Sequence, residues 1–112
     1  MKIQIKKNET GVDLVELDGE LDFHSPPEVR SELAKLIERQ APKVMVDLKS
    51  VNYIDSSGLA TFVELFQKMK RYSGYLVLFN LNQGVRSVFE IAKLDTIFKL
   101  AATQKEALSL IA

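Results

Sequence analysis

The sequence predicts an α/β fold: a single domain over residues 1–112, with a mixed β-sheet, an N-terminal hairpin and about four helices packed against the sheet. A chain of 112 residues is long enough to close one hydrophobic core. Hydrophobic residues make up 46% and charged residues 27%, as in ordinary globular domains. After two opening strands, β-branched runs alternate with segments of helical periodicity, which indicates parallel strands joined by crossover helices.

Two short segments near the N-terminus have the alternating pattern of β-strands. They are "KIQIKK" (2–7) and "VDLVEL" (12–17), and the polar sequence "NETG" between them is typical of a turn. A β-hairpin is therefore predicted at the start of the chain.

The first helix is predicted to begin near Ser25 and to end near Gln40, just before Pro42. Ser25 and Glu28 have the spacing of a capping box, and Pro26 suits the first helical position. Apolar residues then recur at helical spacing, and they are Val29, Leu33, Leu36 and Ile37.

A buried strand and a second amphipathic helix are predicted in the middle of the chain. The segment "KVMVDL" (43–48) is rich in β-branched and apolar residues, as buried strands are. The helix that follows is expected to end near Tyr72, before Gly74. Its apolar face consists of Leu59, Phe62, Val63, Phe66 and Met69.

The C-terminal third continues the alternation of strands and helices. A continuous apolar run predicts a strand at 75–81, and a short third helix is predicted over 82–94. The residues expected to face inward from this helix are Val85, Val88, Phe89 and Ala92. The segment "TIFKL" (96–100) predicts a last short strand, and Thr103 with Glu106 forms a capping box for a C-terminal helix.

The composition argues against nucleic acid, metal and cofactor binding. Fifteen basic and fifteen acidic residues cancel, so the chain has little long-range field to attract nucleic acid or acidic lipid. Without cysteine there is no disulfide, thiolate nucleophile or thiolate metal site. His24 is the only histidine, and its predicted place in an exposed loop suits neither a zinc site nor a catalytic triad. We therefore expect no metal and no cofactor.

Motifs of common nucleotide-binding and hydrolytic enzymes are absent from the sequence. It contains no G-x-G-x-x-G, no G-x-x-x-x-G-K-[ST] and no G-x-S-x-G. An acidic cluster lies within 13–22, but at strand spacing most of it is expected to face solvent. No acid is placed to complete a calcium loop at the end of this cluster. The chain is therefore not expected to be an enzyme.

The sequence predicts no attachment to a membrane. Its first residues, "MKIQIKKNETG", lack the apolar core of a signal peptide. No stretch approaches the roughly 20 apolar residues that a membrane span needs. The expected compartment is the cytoplasm.

The tetrapeptide Asp55-Ser56-Ser57-Gly58 stands where the predicted buried strand leads into the second helix. An acid or hydroxyl at this position caps the helix, which is worth roughly 1 kcal/mol. Gly58 adds no cap and costs up to about 1 kcal/mol relative to alanine. We expect its bare backbone to let another protein approach the neighbouring hydroxyls, at an edge of the sheet where ligand sites gather. These residues are therefore candidates for a functional surface whose chemistry stays open on this ground alone.

The chain resembles the STAS domain of bacterial anti-sigma factor antagonists over nearly its whole length. The resemblance is carried by "LDGELDFHSPPEVRSEL" and by the sequence from "VMVDL" through "TIFKL". Its most specific part is the hydrophobic strand followed by D-S-S-G-L, with G-E-L-D upstream and V-x-x-x-F-x-x-x-x-L-D downstream. The chain departs from the family pattern after "LD", where "FHSPP" replaces the small polar residue that often starts the first helix.

The resemblance implies that the partner is a GHKL-type serine kinase that doubles as an anti-sigma factor and phosphorylates Ser56. Asp55 then neighbours the phosphoacceptor, Asp22 is the acid near it in the folded domain, and Ser57 and Gly58 complete the partner-binding loop. The unphosphorylated form binds the anti-sigma factor and frees the sigma factor, phosphorylation ends binding, and a serine phosphatase resets the protein. We expect the phosphate to meet bare N–H groups at the helix N-terminus and to leave the fold intact.

STAS domains also occur in other settings, and these remain alternatives. One is a scaffold subunit of a stress-sensing assembly, which predicts a very large species in size-exclusion chromatography. Another is an accessory protein of a lipid-transport ATP-binding-cassette complex, which predicts co-purification with membrane proteins. The intact D-S-S-G motif favours the antagonist, for which we expect a monomer or weak dimer. The pair Pro26-Pro27 stiffens the start of the first helix and bears on which partner is chosen.

Overall fold

The computed structural model describes residues 1–8, 10–25 and 27–111, which form five strands, four α-helices and one 3-10 helix. The strands are β1 (Lys2–Lys7), β2 (Asp13–Leu21), β3 (Lys43–Ile54), β4 (Tyr75–Phe79) and β5 (Lys99–Ala101). The α-helices are α1 (Pro27–Glu38), α2 (Ser56–Lys70), α3 (Gln83–Ile91) and α4 (Gln104–Ile111), and the 3-10 helix spans Leu94–Thr96. Within the described residues, no helix has both the length and the apolar character needed to cross a membrane.

The five strands form one mixed sheet in the order β1-β2-β3-β4-β5. β1 and β2 pair antiparallel as a hairpin, and the other three neighbouring pairs are parallel. Parallel neighbours need a crossover connection, which α1, α2 and α3 supply in turn. The predicted α/β fold, with an N-terminal hairpin and four helices, is therefore confirmed.

The helices cover the two faces of the sheet unequally. α1, α2 and α3 pack on one face and bury the larger core, to which Leu36, Phe62 and Phe89 contribute fully buried side chains. α4 packs on the other face, where Ala107 and Ile111 meet apolar residues of the sheet. Each fully buried large apolar side chain contributes about 1.5–3 kcal/mol, so the three helices on the first face dominate the packing energy.

β2 and β3 are longer than the sequence predicts. Expected to end at residues 17 and 48, they continue to Leu21 and Ile54. The pairing shifts between Glu16 and Asp18 and again between Gly19 and Glu20, and at each shift β3 gains one residue over β2. Such irregularities let a strand continue through polar residues that look like a loop. As a result, the ends of the two strands lie side by side, with Leu21 opposite Ile54.

Other element boundaries also differ from the prediction. α3 ends at Ile91, so Ala92 is exposed rather than buried. Thr96 belongs to the 3-10 helix, and the last strand begins only at Lys99. Of the capping box before α4, the bond to Thr103 is confirmed, because Thr103 Oγ1 accepts a hydrogen bond of 3.1 Å from the N–H of Glu106. The side chain of Glu106 accepts from the N–H of Ala102 rather than from that of Thr103.

The capping box predicted for the first helix is wrong. α1 begins at Pro27, and the Ser25 hydroxyl accepts a hydrogen bond of 2.9 Å from the N–H of Asp22 instead. The same hydroxyl donates to the carbonyl of Glu20 at 3.2 Å. Ser25 therefore closes the loop before the helix, while the predicted role of Pro26 lies outside the described residues.

The acidic cluster of β2 faces solvent in part, as predicted, but its first member does not. Asp18 and Glu20 are exposed, whereas Asp13 is completely buried. Both carboxylate oxygens of Asp13 accept hydrogen bonds from the guanidinium of Arg39, at 3.1 and 2.5 Å. This pairing raises the pKa of Arg39 and fixes the end of α1 to the start of β2.

Candidate partner-binding site at the start of helix α2

The link between β3 and α2 is a single residue, Asp55. Its backbone is extended, with φ −113° and ψ −172°, and its side chain caps the helix. One carboxylate oxygen accepts hydrogen bonds from the N–H groups of Ser57 and Gly58, at 2.9 and 3.0 Å. This cap confirms the simplest interpretation of the acid in the tetrapeptide and contributes about 1 kcal/mol.

The same carboxylate joins the end of β2 to the start of α2. Its second oxygen accepts a hydrogen bond of 3.4 Å from the N–H of Phe23, and the N–H of Asp55 donates to the carbonyl of Leu21 at 3.3 Å. Asp22 lies between those two residues and is half-buried. The structure therefore places the loop that contains Asp22 directly beside the D-S-S-G motif.

The loop formed by residues 22–25, here called the β2–α1 loop, is held by short hydrogen bonds. The N–H of His24 donates to Asp22 Oδ1 at 2.8 Å, and the N–H of Ser25 donates to the carbonyl of Asp22 at 3.0 Å. His24 is exposed, as predicted, and its ring lies 3.9 Å from that of Phe23. The loop therefore has a defined conformation next to Asp55.

Gly58 is buried, which corrects the expectation that its backbone is open to a partner. A Cβ atom at this position would lie 2.3 Å from the carbonyl oxygen of Leu21 and 2.7 Å from Cγ1 of Ile54. Real Cβ atoms essentially never approach other atoms so closely. Glycine is therefore needed because the end of β2 packs against the first turn of α2. Gly58 affects the site through this buried contact and not through an exposed backbone.

The two serines of the motif lie in different surroundings. Ser56 is the first residue of α2 and is exposed. Ser57 is half-buried and, with Asp22, Phe23 and Thr61, lines a cleft of about 200 Å³ between the β2–α1 loop and α2. The hydroxyl of Thr61 donates to the carbonyl of Ser57 at 3.1 Å, which holds the first turn of the helix.

The groups around Ser56 are mainly acidic. Asp55 directly precedes it, and Asp22 and Ser57 line the same cleft. Among the described residues, the one cation lining that cleft, Arg30, is bound to Glu64 at 2.9 Å. Glu64 also accepts a hydrogen bond from Lys68, which is the main reason that its pKa is lowered. Arg30 therefore already has an ionised partner.

Two of the N–H groups at the start of α2 are not bare, contrary to expectation. Those of Ser57 and Gly58 already donate to Asp55. A phosphate on Ser56 would find the favourable end of the helix dipole but would compete with this carboxylate for hydrogen-bond donors. The expected switch therefore cannot depend on free N–H groups of Ser57 and Gly58 that bind the phosphate.

Replacing Asp55 by alanine is expected to destabilise the domain by about 1–2 kcal/mol, because the cap of α2 and the bond to Phe23 are both lost. Urea denaturation followed by circular dichroism measures the change as a lower midpoint with an unchanged slope. Asp55→Asn is the matched control, since its amide oxygen can still accept from the first turn, and it should lose less. Equal stability of Asp55→Ala and the parent would contradict this role.

Comparisons with known proteins agree with the fold. A model of the STAS domain matches residues 3–107. The anti-sigma-B factor antagonist of Bacillus subtilis (strain 168) is 35% identical over 102 residues, which cover 91% of this chain and 92% of that protein. The similarity therefore extends over almost the full length of both proteins.

Solved structures show the same fold at lower identity. A crystal structure of an anti-sigma factor antagonist from Mycobacterium paratuberculosis superposes with a TM-score of 0.89 at 22% identity, covering 98% of this chain and 92% of that one. The Bacillus cell fate determinant SpoIIAA, in its phosphorylated form, gives a TM-score of 0.75 at 23% identity, with 97% and 98% covered. The chain belongs to the STAS domain family, among the anti-sigma factor antagonists.

Proposed function

We propose that this antagonist is a phosphorylation-controlled switch with Ser56 as its phosphoacceptor. The unphosphorylated chain binds an anti-sigma factor that is also a GHKL-type serine kinase, and this frees the sigma factor. Phosphorylation of Ser56 ends the interaction, and a serine phosphatase restores it. The observation that carries the proposal is the exposure of Ser56 at the first position of α2, directly after Asp55, whose carboxylate is held by backbone hydrogen bonds.

Ser56 is better suited to modification than its neighbour. Its side chain is exposed, whereas Ser57 is half-buried and its N–H donates to the Asp55 cap. A kinase must surround the hydroxyl that it modifies, and only the outer serine offers that access without opening the first turn of α2. The existence of SpoIIAA in a phosphorylated form supports a switch of this kind in a protein of the same fold.

The hydrogen bonds around Asp55 explain why a partner would reject the phosphate. Phosphoserine carries about −1.5 to −2 charges at neutral pH. In the free protein water solvates this charge, but in a complex the nearby N–H groups of Ser57 and Gly58 are already used by Asp55. A phosphate covered by the partner would therefore lose water while these two donors stay bound to Asp55. Weakening the complex a hundredfold needs only about 2.8 kcal/mol.

The phosphate is expected to affect the complex more than the fold. Ser56 is exposed, so the domain does not have to repack to accommodate the added group. Repulsion by Asp55 and Asp22 opposes the favourable helix dipole, and both effects are small in water. The free protein should therefore keep its melting temperature within a few degrees on phosphorylation.

Ser56→Ala is expected to abolish phosphorylation by the anti-sigma factor of the source bacterium in the presence of ATP, because the acceptor hydroxyl is gone. Ser57→Ala is the matched control and should still be phosphorylated, since it leaves the outer hydroxyl in place. Mass spectrometry of tryptic peptides locates the phosphate. Modification of Ser57 or of any other residue in the parent protein would overturn the assignment.

The effect of the added charge is tested by Ser56→Asp, whose affinity for the anti-sigma factor is measured by titration calorimetry. We expect this variant to bind the anti-sigma factor at least about tenfold more weakly than Ser56→Ala, which keeps parental affinity. The melting temperatures of both variants should stay close to the parent value. A Ser56→Asp variant that binds as tightly as the parent would contradict the switch.

A further inference from the structure

We propose that Phe23 is the apolar anchor by which this chain docks on its anti-sigma factor, which presents an apolar pocket for the ring. This inference rests on the proposed function and adds a specificity-determining residue outside the D-S-S-G motif. Phe23 is 74% exposed, although phenylalanine is among the residues most often buried. Single exposed apolar side chains are common, so the conformation and position of this one must carry the inference.

The backbone of Phe23 is held rather than free. Its N–H donates to Asp55 Oδ2, and the neighbouring peptides are fixed by hydrogen bonds to the side chain and carbonyl of Asp22. Its ring packs against the ring of His24 at 3.9 Å, tilted by 40°. An aromatic side chain that is already ordered loses little entropy on binding, which is why rigid aromatic residues dominate many interfaces.

The backbone of Phe23 also lies close to the segment that carries the predicted phosphoacceptor. Asp55, which binds the N–H of Phe23, is the residue directly before Ser56. Phe23 further lines the cleft of about 200 Å³ shared with Ser57 and Thr61. The partner can therefore bind the exposed ring in a pocket of its own and place a side chain in the cleft beside it. A single contact of this kind would cover both Phe23 and Ser56.

The surrounding acids do not prevent an apolar contact. Asp55 accepts three backbone hydrogen bonds, and Asp22 accepts one from His24. Carboxylates satisfied in this way can be covered by a partner at lower cost than free ones. A phosphate on Ser56 would have to compete with Asp55 for the N–H groups of Ser57 and Gly58, and we place it at the edge of the apolar contact. An apolar contact at Phe23 therefore explains how a single phosphate on Ser56 can dissociate the complex.

The test measures binding of the unphosphorylated chain to the purified anti-sigma factor of the source bacterium by titration calorimetry. Phe23→Ala is expected to weaken binding by about tenfold to a hundredfold, as for an interface hot spot. Tyr75→Ala is the matched control, because Tyr75 is a half-exposed aromatic residue at the opposite, amino-terminal end of the parallel strands. It should change affinity by less than about twofold.

A second measurement locates the contact without truncating the side chain. A photo-crosslinking benzoylphenylalanine placed at position 23 should capture the anti-sigma factor, and one placed at position 75 should not. Phosphorylation of Ser56 should abolish the crosslink from position 23.

The outcomes separate this inference from the proposed function. Binding by the parent and loss of binding by Ser56→Asp would support the proposed function. If, in the same experiments, Phe23→Ala binds like the parent and position 23 gives no crosslink, only the anchor is overturned. If the parent fails to bind the anti-sigma factor at all, the proposed function is overturned and the anchor with it. Parental melting temperatures in both alanine variants would show that the losses concern binding, since both rings are exposed.

Discussion

Gly58→Ala is expected to lower the melting temperature of the domain by roughly 10 °C, which corresponds to about 3 kcal/mol for a chain of this size. The added methyl group would meet the carbonyl oxygen of Leu21 at 2.3 Å. That oxygen is backbone and cannot turn aside as a flexible side chain would. The end of β2 must therefore move, and the hydrogen bond from Asp55 to Leu21 is strained or lost. Thermal unfolding followed by circular dichroism measures the loss.

Gly84→Ala provides the matched control, because Gly84 also lies in the first turn of a helix. A Cβ atom there would have Asn82 Oδ1 as its nearest neighbour, at 3.4 Å, which is ordinary contact. Alanine forms helices better than glycine by about 1 kcal/mol, so this variant should be as stable as the parent or slightly more stable. Equal melting temperatures for Gly58→Ala and Gly84→Ala would show that the close approach to Leu21 is not required.

The role of Gly58 also explains how the site is assembled. Without a side chain at this position, the end of β2 can lie directly on α2, and Asp55 can then bind both the helix and the β2–α1 loop. The loop that contains Asp22 and Phe23 thereby lies beside the segment that carries Ser56, although the two segments are far apart in the chain. The glycine therefore shapes the candidate site by packing inside the domain, not by exposing backbone.

Much of the fold could be predicted because the relevant signals are local. Alternation of polar and apolar residues identified β1, and a β-branched run identified the first half of β3. Asp55 was recognisable as a cap since it directly precedes a helical pattern. The order of these elements then restricts the topology, because a strand, a helix and a parallel strand must form a crossover.

Features that depend on contacts between distant segments could not be predicted in the same way. The second half of β3 carries exposed Lys49, Ser50 and Asn52, so its continuity with the buried strand depends on its pairing with β2. The reason for Gly58 is an atom of Leu21. Phe23 stood in a segment interpreted only as a connection, and its apolar side chain between two polar residues was the one available signal.

Arg39→Met is expected to destabilise the domain by about 3 kcal/mol, although Arg39 lies far along the chain from any predicted site residue. Its partner Asp13 is fully buried, and both carboxylate oxygens accept hydrogen bonds from this guanidinium. Methionine keeps much of the aliphatic volume and removes only the charge, so that a buried carboxylate remains without its cation. The midpoint of urea denaturation should fall accordingly.

Lys35→Met is the control on the same helix, because the pair of Lys35 with Glu32 is exposed and should contribute less than about 0.5 kcal/mol. Adding Asp13→Asn to Arg39→Met should recover part of the loss, since a buried amide costs less than a buried carboxylate. The Asp13–Arg39 pair lies where β2 begins, whereas Ser56 follows the end of the parallel strand β3. Folded Arg39→Met should therefore bind the anti-sigma factor with parental affinity. Weaker binding at a temperature where the variant is fully folded would show that stability and partner recognition are coupled through the sheet.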